Sequence, residues 1–316
     1  MTFKRERTAA MVAAALGALL IAGACGPAYL RFLFQLALGD GLAVLGLMVL
    51  MRAGLVSFGQ GFYYCLGGYT AGIVGTYAGL TDGVALLLIG AAAGGAAGLL
   101  AGLLIARYRE IFFAMLTLAL TMILYGLLVN NERLGSTDGF NVPPPHFLWW
   151  APAGDALGMA LFALSCVVVC AGALALDRYL VSPMGWLGEA LRENELRVEY
   201  LGVSVLRLVL VKYVIAAALA GAGGVLTALA VGHVDPGLAN WTTSGEFLFM
   251  ALLGGTQNVV APLLGALVLQ LVRAYALQYA PYLWQMILGA TMLAIILFLP
   301  DGLWSLGRIR GREANG

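Results

Sequence analysis

The feature that most constrains this chain is a series of apolar stretches, each long enough to cross a lipid bilayer. A helix rises 1.5 Å per residue, so about 20 apolar residues span the hydrocarbon core. Of the 316 residues 62% are hydrophobic and only 10% charged, whereas soluble domains carry about 25% charged residues. The composition therefore excludes soluble, disordered, collagen-like, coiled-coil and nucleic-acid-binding classes. It predicts an all-α, polytopic integral membrane protein.

The apolar stretches predict about eight to ten transmembrane helices in a single domain that covers residues 1–316. The region 246–277 is interrupted by Gly254, Gly255 and Pro262. It is therefore either one kinked helix or two short helices that form a hairpin in the membrane. The predicted spans are residues 11–28, 33–51, 57–78, 84–105, 111–129, 156–177 and 208–231, the broken region 246–277, and residues 283–299.

Basic side chains predict the orientation, because Lys and Arg accumulate on the cytoplasmic side of a membrane. If the N-terminus lies in the cytoplasm with Lys4, Arg5 and Arg7, most of the 17 Lys and Arg residues fall on that side. A cytoplasmic basic tail, residues 301–316, then requires an even number of crossings. The region 246–277 should accordingly cross twice.

The N-terminal segment also has the form of a secretory or lipoprotein signal that ends at Cys25. Lipoprotein signals carry a Leu-like residue three positions before the cysteine, where this chain has Ala22. The chain also continues as further membrane spans. We therefore expect an uncleaved first span.

The segment 178–207 concentrates charge in a chain that has little. Its charged face is mostly acidic, whereas helices that lie on lipid are usually rich in Lys and Arg. A helix over about 186–201 pairs Glu193 with Arg197 at i, i+4. We expect a short amphipathic helix on the cytoplasmic face that contacts a protein partner. Its apolar face consists of Leu187, Leu191, Asn194, Val198 and Leu201.

The segment 130–155 is the long loop on the outer side. Glycine and aspartate residues in 135–139 permit a tight turn, and the prolines 143–145 stiffen the chain. Trp149 and Trp150 are expected at the lipid headgroups. The loop is either a connection with an interfacial anchor or a docking surface for an outside partner.

Residues 182–195, continuing to 199–203, resemble the cytoplasmic coupling loop of LivM-type permeases, the membrane subunits of branched-chain amino-acid ABC importers. The chain departs from the family at Trp186 and Glu189, where basic residues are usual, at Gln257 and Asn258, where small residues are common, and at Asp301, where Arg is common. Further resemblance follows in order at residues 54–62, 67–71, 117–119 with 135–139, 217–224, 252–255, 262–265 and 298–302.

The resemblance implies a permease subunit of an ABC importer in the bacterial cytoplasmic (inner) membrane. It implies four kinds of partner: a second permease subunit of the LivH type, two ABC ATPase subunits, a periplasmic substrate-binding protein and membrane lipid. The resemblance implies that the helix around 186–201 rests in a cleft on an ATPase and transmits the closure of the ATPase to the spans. The residues that this role assigns are Gly185, Trp186, Glu189, Arg192, Glu193, Asn194, Glu195 and Gly202.

The chain carries no sign of its own ATP chemistry. A phosphate-binding loop needs a lysine after a glycine frame, and neither Lys4 nor Lys212 has one. ATP is therefore expected to be used by partner subunits, with no cofactor bound by this chain. His146 and His233 lack partners at metal or triad spacing, so no metal or catalytic site is predicted. The four cysteines, expected to be buried apolar residues, are Cys25, Cys65, Cys166 and Cys170.

Polar residues inside a membrane are costly, so each is a candidate for the translocation pathway. Asp40 either lines the pathway or holds Gln35 or Arg31 on its own helix. Glu246 is expected at the outer interface. The candidate pathway residues are Asp40, Ser57, Gln60, Tyr63, Tyr69, Thr70, Gln257 and Asn258.

Other functions remain open at this point. A self-sufficient secondary transporter or channel would place coupling charges in its spans and would need no acidic docking helix. An integral-membrane enzyme would need a convergent set of catalytic groups, and none is visible in the sequence. Within ABC permeases, urea, short amides and aromatic acids are alternatives to branched-chain amino acids as substrates.

Overall fold

The computed structural model describes residues 26–147, 150–298 and 302–305, together with Gly17, Leu19 and Gly23. The predicted all-α class is confirmed. The helices of the described part are α1 (Ala28–Arg52), α2 (Gln60–Tyr77), α3 (Gly83–Ile105), α4 (Glu110–Val129), α5 (Asp155–Val181), α6 (Pro183–Glu193), α7 (Glu195–Tyr200), α8 (Val205–Val231), α9 (Trp241–Gly254), α10 (Val260–Tyr279) and α11 (Trp284–Phe298).

The chain is a multi-pass membrane protein. Six of its described helices, α1, α3, α4, α5, α8 and α10, are long and apolar enough to cross a bilayer. They match predicted spans to within a few residues at most ends. The predicted first span, 11–28, lies mostly outside the described residues, as does most of the basic tail 301–316.

Helix α8 occupies the centre of the bundle and packs directly against α1, α2 and α3. Glycines make this packing close. A Cβ atom at Gly223 would lie 2.4 Å from the carbonyl oxygen of Gly39 on α1, and one at Gly224 would lie 1.8 Å from that of Tyr64 on α2. Gly221 contacts Gly90 on α3 in the same way. Small residues let backbones approach, which is how helices associate in lipid.

The two ends of the bundle differ. Arg52, Arg109 and the short helices α6 and α7 lie at one end, which we call the charged end. At the opposite end, the strand Phe140–Asn141 pairs with the strand His233–Val234 in an antiparallel two-stranded sheet. This pair attaches the loop 130–155 to the chain that follows α8.

The predicted interruption of the region 246–277 is confirmed. Helices α9 and α10 pack against each other on either side of a break at residues 255–259. The 3-10 helix Leu303–Ser305 follows Gly302, which contacts Gly254 and Gly255 at that break. Helices α9, α10 and α11 therefore alternate in direction, so that α11 leads back to the charged end.

A second irregular segment, missed in the sequence, precedes α9. The 14 residues of α9 rise only about 21 Å, too little to cross a hydrocarbon core of about 30 Å. Residues 233–240 provide the remaining depth as a strand and a 3-10 helix, Pro236–Ala239, packed against α2 and α4. Irregular backbone is tolerated at such depth where protein groups satisfy it. Here Val234 and Ala239 are fully buried, and Asp235 accepts a hydrogen bond, 2.7 Å, from the amide of Gly237, which is itself exposed.

The prediction of one continuous helix over 186–201 is wrong. Asn194 is extended (φ −161°, ψ 109°) and separates α6 from α7. Its side chain accepts a hydrogen bond from the Arg197 amide, 3.1 Å, as an N-terminal cap of α7. Glu193 and Arg197 therefore lie on different helices. Of the predicted apolar face, Leu191 and Val198 are buried, whereas Leu201 is 71% exposed.

The packing around α8 predicts that Gly224→Ala destabilises the protein, because the added methyl group has no room against the carbonyl of Tyr64. Overpacking of this kind costs about 1–3 kcal/mol. The midpoint of thermal unfolding in detergent should fall. Gly126→Ala on α4, where nothing lies within 4 Å of the added carbon, is the matched control and should leave the midpoint unchanged. Equal midpoints for the two variants would contradict the packing argument.

Candidate functional site

Asp40 lies at the centre of a buried polar cluster that joins four helices. It is 7% exposed on α1. The hydroxyl of Tyr64 on α2 donates to Asp40 Oδ1, 2.7 Å, and lies 2.5 Å from the hydroxyl of Thr227 on α8. Gln270 on α10 donates through Nε2 to Asp40 Oδ2. The carboxylate therefore receives hydrogen bonds from two other helices, in line with the rule that buried charges are paired.

The sequence-based partners of Asp40 are wrong. Arg31 pairs instead with Asp155 at the start of α5, with 2.8 Å between Nη2 and Oδ1. Gln35 makes no hydrogen bond through its side-chain nitrogen in the described part of the chain. On α1, Arg31 and Gln35 project from a different side of the helix than Asp40 does. The groups that donate hydrogen bonds to Asp40 come instead from helices that are distant in sequence.

Glu246 extends the cluster rather than lying at the outer interface. Its carboxylate accepts a hydrogen bond from Arg273 Nη1, 3.0 Å, so it links α9 to α10. Arg273 is also within electrostatic range of Asp40 and lies over the ring of Trp284, 5.4 Å from its centroid. The pair therefore holds three consecutive helices, α9, α10 and α11, together beside the cluster.

Ser57 and Gln60 lie in and just after an extended segment that connects α1 to α2, and both are fully buried. Two threonines on α4 hold this segment. Thr117 accepts from the Phe58 amide, 3.1 Å, and Thr121 donates to the Phe58 carbonyl, 2.9 Å. This non-helical segment is thus fixed by two side chains that lie one turn apart on α4.

The other predicted pathway residues on α2 lie apart from one another. Tyr63 packs edge-on against Tyr213 of α8, with ring centroids 5.7 Å apart, and Tyr69 packs against Phe140 of the loop at the opposite end. Thr70 donates to the carbonyl of Leu66 on its own helix. The Tyr69 hydroxyl and the Gln60 Oε1 atom are buried without a hydrogen-bond partner among the described residues.

Gln257 and Asn258 lie at the charged end, away from Asp40. Gln257 is exposed, and Asn258 accepts a hydrogen bond from the Val260 amide at the start of α10. The Arg52 guanidinium donates to the carbonyls of Thr256 and Gln257, both at 2.7 Å. Their role in a pathway stays a prediction.

Two arginines attach the charged helices to the spans. Arg52, at the end of α1, reaches Glu189 of α6 with 3.6 Å between Nη1 and Oε1. Arg109 binds both carboxylate oxygens of Glu195 at the start of α7, at 3.0 and 2.9 Å. A bidentate arginine contact fixes geometry as well as charge. Both predicted glutamates therefore face the bundle.

Lys212 on α8 packs against the face of α6 that is turned toward the bundle. It is 1% exposed and its Nζ lies 5.0 Å from the centroid of the Tyr179 ring. A Cβ atom at Gly188 would lie 2.3 Å from this nitrogen, and one at Gly185 would lie 2.2 Å from the Leu180 carbonyl oxygen. Glycines at these two positions therefore let α6 lie close against α5 and α8.

The remaining predicted coupling residues are exposed. Trp186 is 53% exposed, although its indole nitrogen donates to the Val181 carbonyl. Arg192, Glu193 and Asn194 are exposed, as is Gly202, which has a left-handed φ of +78°. Tyr200, missed in the sequence, is 88% exposed beside them. The structure thus brings charged and aromatic side chains to one exposed face.

The two histidines are structural. His233 lies 3.0 Å from Asn141 Oδ1 and 2.8 Å from the Asp138 carbonyl, so it fixes the loop 130–155 to the segment after α8. His146 lies 3.9 Å from Asp82. Among the described residues, no group of three or more His, Cys, Asp or Glu side chains is placed to hold a metal ion.

The extent of the sequence match decides the family. The model of the family described as "Branched-chain amino acid transport system / permease component" matches residues 29–296, from α1 into α11. The chain belongs to this permease family. The resemblance to LivM-type permeases is therefore confirmed, and the family's members are transporter components rather than enzymes.

Three curated relatives agree with this assignment. The permease is 30% identical to the high-affinity branched-chain amino acid transport system permease protein LivM of Escherichia coli (strain K12), over 86% of this chain and 69% of the relative. It is 29% identical to the protein of the same name in Salmonella typhimurium, with the same coverage. A probable LivM of Methanocaldococcus jannaschii is 26% identical over 63% of this chain and 61% of the relative. No solved structure gives a significant match.

Several residues of the permease site escaped the sequence analysis. They are Arg52, Tyr64, Lys212, Thr227 and Gln270. Each is a polar or charged residue within or at the end of an apolar span, the same signal that selected Asp40. The sequence does not show which of these residues lie close together, because they are on different helices.

The Asp40 cluster predicts that Tyr64→Phe lowers the stability of the permease. The change removes one donor from Asp40 and leaves the Thr227 hydroxyl without its partner. A buried polar group left unsatisfied costs about 1–3 kcal/mol. Thermal unfolding in detergent should show a lower midpoint, whereas Tyr29→Phe, at a side chain 53% exposed, should match the wild type. A Tyr64→Phe midpoint equal to that of the wild type would show that the cluster contributes little.

Proposed function

We propose that this chain is the permease subunit of an ABC importer that carries branched-chain amino acids across the bacterial inner membrane. The family match over residues 29–296 and the names of the relatives support this substrate class. The single structural observation that carries the proposal is the pair of short charged helices, α6 and α7, attached to the spans at one end of the bundle. A transporter driven by an external motor needs such a surface.

The partners follow from the same proposal. Two ABC ATPase subunits bind and hydrolyse ATP, a second permease subunit of the LivH type completes the pathway, and a periplasmic binding protein delivers substrate. This chain binds no cofactor or metal of its own. The charged end faces the cytoplasm, because Arg residues accumulate there, including Arg52, Arg109, Arg192 and Arg197. The N-terminus lies on the same side.

The exposed face of α6 and α7 contacts the ATPase. Arg52 transmits the movement of the ATPase to the spans. Its guanidinium touches α6 through Glu189 and the α9–α10 turn through two carbonyls. Helix α10 carries Gln270 and Arg273, which bind Asp40 and Glu246. A displacement of α6 therefore reaches the polar cluster through rigid helices, the usual way in which a local contact shifts a packed interface.

The pathway runs beside α2. The buried polar atoms of Gln60 and Tyr69, which have no partner in the described chain, support this placement, since an unpaired polar atom in a membrane is costly. Asp40 has its hydrogen bonds satisfied within the chain, so it holds the helices that form the wall of the pathway.

The docking face is tested by Glu193→Lys. Glu193 is exposed, so the variant should insert and fold as the wild type does. We expect Glu193 to face basic groups of the ATPase, so that the introduced lysine places like charges at the interface, which costs several kcal/mol. ATP-driven leucine uptake in proteoliposomes that hold the complete importer should therefore fall at least about tenfold. Glu193→Gln, which removes the charge at the same position without reversing it, is the matched control and should retain more uptake than Glu193→Lys. Normal uptake by Glu193→Lys would remove this residue from the coupling surface.

The transmission step is tested by Arg52→Met, which keeps an unbranched stem but removes the guanidinium. The complex should still assemble, because α6 retains its contacts with Arg109, through α7, and with Lys212. ATP hydrolysis should continue while the number of leucine molecules imported per ATP falls. Arg107→Met, which removes an exposed guanidinium at the same end of the bundle, is the matched control. An unchanged ratio of uptake to hydrolysis would rule out Arg52 as the link.

The substrate class is tested in the same proteoliposomes with a panel of solutes. Leucine, isoleucine and valine should be imported and should stimulate ATP hydrolysis. Import of urea, a short amide or an aromatic acid in their place would assign the complex to a different substrate, while leaving the ABC mechanism intact.

A further inference from the structure

A cavity of about 480 Å³ opens at the opposite end of the bundle, between the start of α1, the start of α5 and the end of α8. Pockets that hold small molecules have volumes of about 300–1,000 Å³, so an amino acid fits within this one. The prolines 144 and 145 of the loop 130–155 form part of its wall. It lies apart from the Asp40 cluster and from α6 and α7.

Two hydrogen-bond donors of this cavity lack partners. Arg31 and Gln35 both line it, one helical turn apart on α1, and are only 7% and 3% exposed. Within the part of the chain that the structure describes, neither Arg31 Nη1 nor Gln35 Nε2 has a hydrogen-bond partner. Buried polar groups in native proteins are nearly always paired, so an exception indicates a missing partner. The group that satisfies both is an acceptor, and beside a guanidinium it is an oxyanion.

The rest of the cavity wall has a different chemistry. Asp155 also lines it, is 75% exposed through its side chain, and holds Arg31 by the ion pair at 2.8 Å. This exposed carboxylate attracts a cationic group. Leu157, Leu161 and Leu229 supply an apolar wall. The cavity therefore offers donors for an oxyanion, a carboxylate for a cation and a surface for an aliphatic side chain.

We propose that this cavity binds an aliphatic α-amino acid as its zwitterion, on the side where substrate enters. The amino-acid carboxylate accepts hydrogen bonds from Arg31 and Gln35, the ammonium group lies by Asp155, and the side chain packs on the leucines. The proposal rests on the proposed function, and it assigns to the permease a substrate site of its own at the entrance.

A phospholipid headgroup with a phosphate and an ammonium group presents related charges. The size of the cavity favours the amino acid, because a whole amino acid fits within its volume whereas a lipid leaves its acyl chains outside. Phosphatidylethanolamine is accordingly the competitor in the experiment.

The experiment measures binding of radiolabelled L-leucine to the full-length chain in phosphatidylcholine nanodiscs without ATP. Leucine should bind saturably, and 3-methylbutylamine, which lacks the carboxylate, should not compete. Gln35→Leu should weaken binding at least about tenfold, the effect of losing a hydrogen bond to a charged group. Its thermal stability without ligand should equal or exceed that of the wild type, because an unpaired buried amide is replaced by an apolar group. Arg31→Met should also weaken binding, and the exposed Arg133→Met should bind as the wild type does.

Several results would overturn the proposal. They are the absence of saturable leucine binding to the wild type, equal affinity in Gln35→Leu, a parallel loss of stability and affinity in Gln35→Leu, and occupation by phosphatidylethanolamine that leucine does not displace. ATP-driven leucine uptake by the complete importer separates a failure of this binding site from a failure of the proposed function. If uptake proceeds with an unchanged KM in Gln35→Leu, this site fails and the proposed function stands; if the wild-type importer takes up no branched-chain amino acid, the proposed function fails.

Discussion

The structure depends on the close approach of α8 to three other helices. In lipid there is little hydrophobic force between helices, so association comes from backbone packing and interhelical hydrogen bonds. Gly221, Gly223 and Gly224 bring α8 into contact with backbone atoms of α1, α2 and α3. The same helix places the Thr227 hydroxyl beside the hydroxyl of Tyr64 and packs Lys212 against Gly188 of α6. One densely packed helix thereby joins the polar cluster within the bundle to the charged helices at its end.

Polar groups inside the bundle are arranged as links between helices. Asp40 connects α1 to α2 and α10, and Glu246 with Arg273 connects α9 to α10. Thr117 and Thr121 hold the backbone of the extended segment before α2. Because each unsatisfied group in a membrane costs free energy, these links fix the relative positions of the helices. Under the proposed function, rigid helices joined in this way let a push at α6 move the wall of the pathway.

Sequence reasoning found most spans and the break in the region 246–277, because length, hydropathy and glycine or proline interruptions are local signals. It failed where the deciding interaction is distant. Tyr64 and Gln270 meet Asp40 across many intervening residues, so no spacing pattern points to them. The break of the charged helix at Asn194 does have a local signal, since asparagine favours helix N-terminal caps, but the apolar periodicity continues across Asn194 and predicts one helix. The irregular segment 233–240 is hidden for a related reason: its backbone is satisfied by contacts with α2 and with the loop 130–155.

The central claim is that this chain is a permease driven from its charged end by an external ATPase. The most direct measurement is uptake of L-leucine into proteoliposomes that hold this chain alone or together with its ATPases, second permease subunit and binding protein. The account predicts uptake only in the complete assembly, with ATP on the ATPase side and binding protein on the other. Uptake by the isolated chain, driven by an ion gradient and indifferent to ATP, would contradict it and identify a secondary transporter.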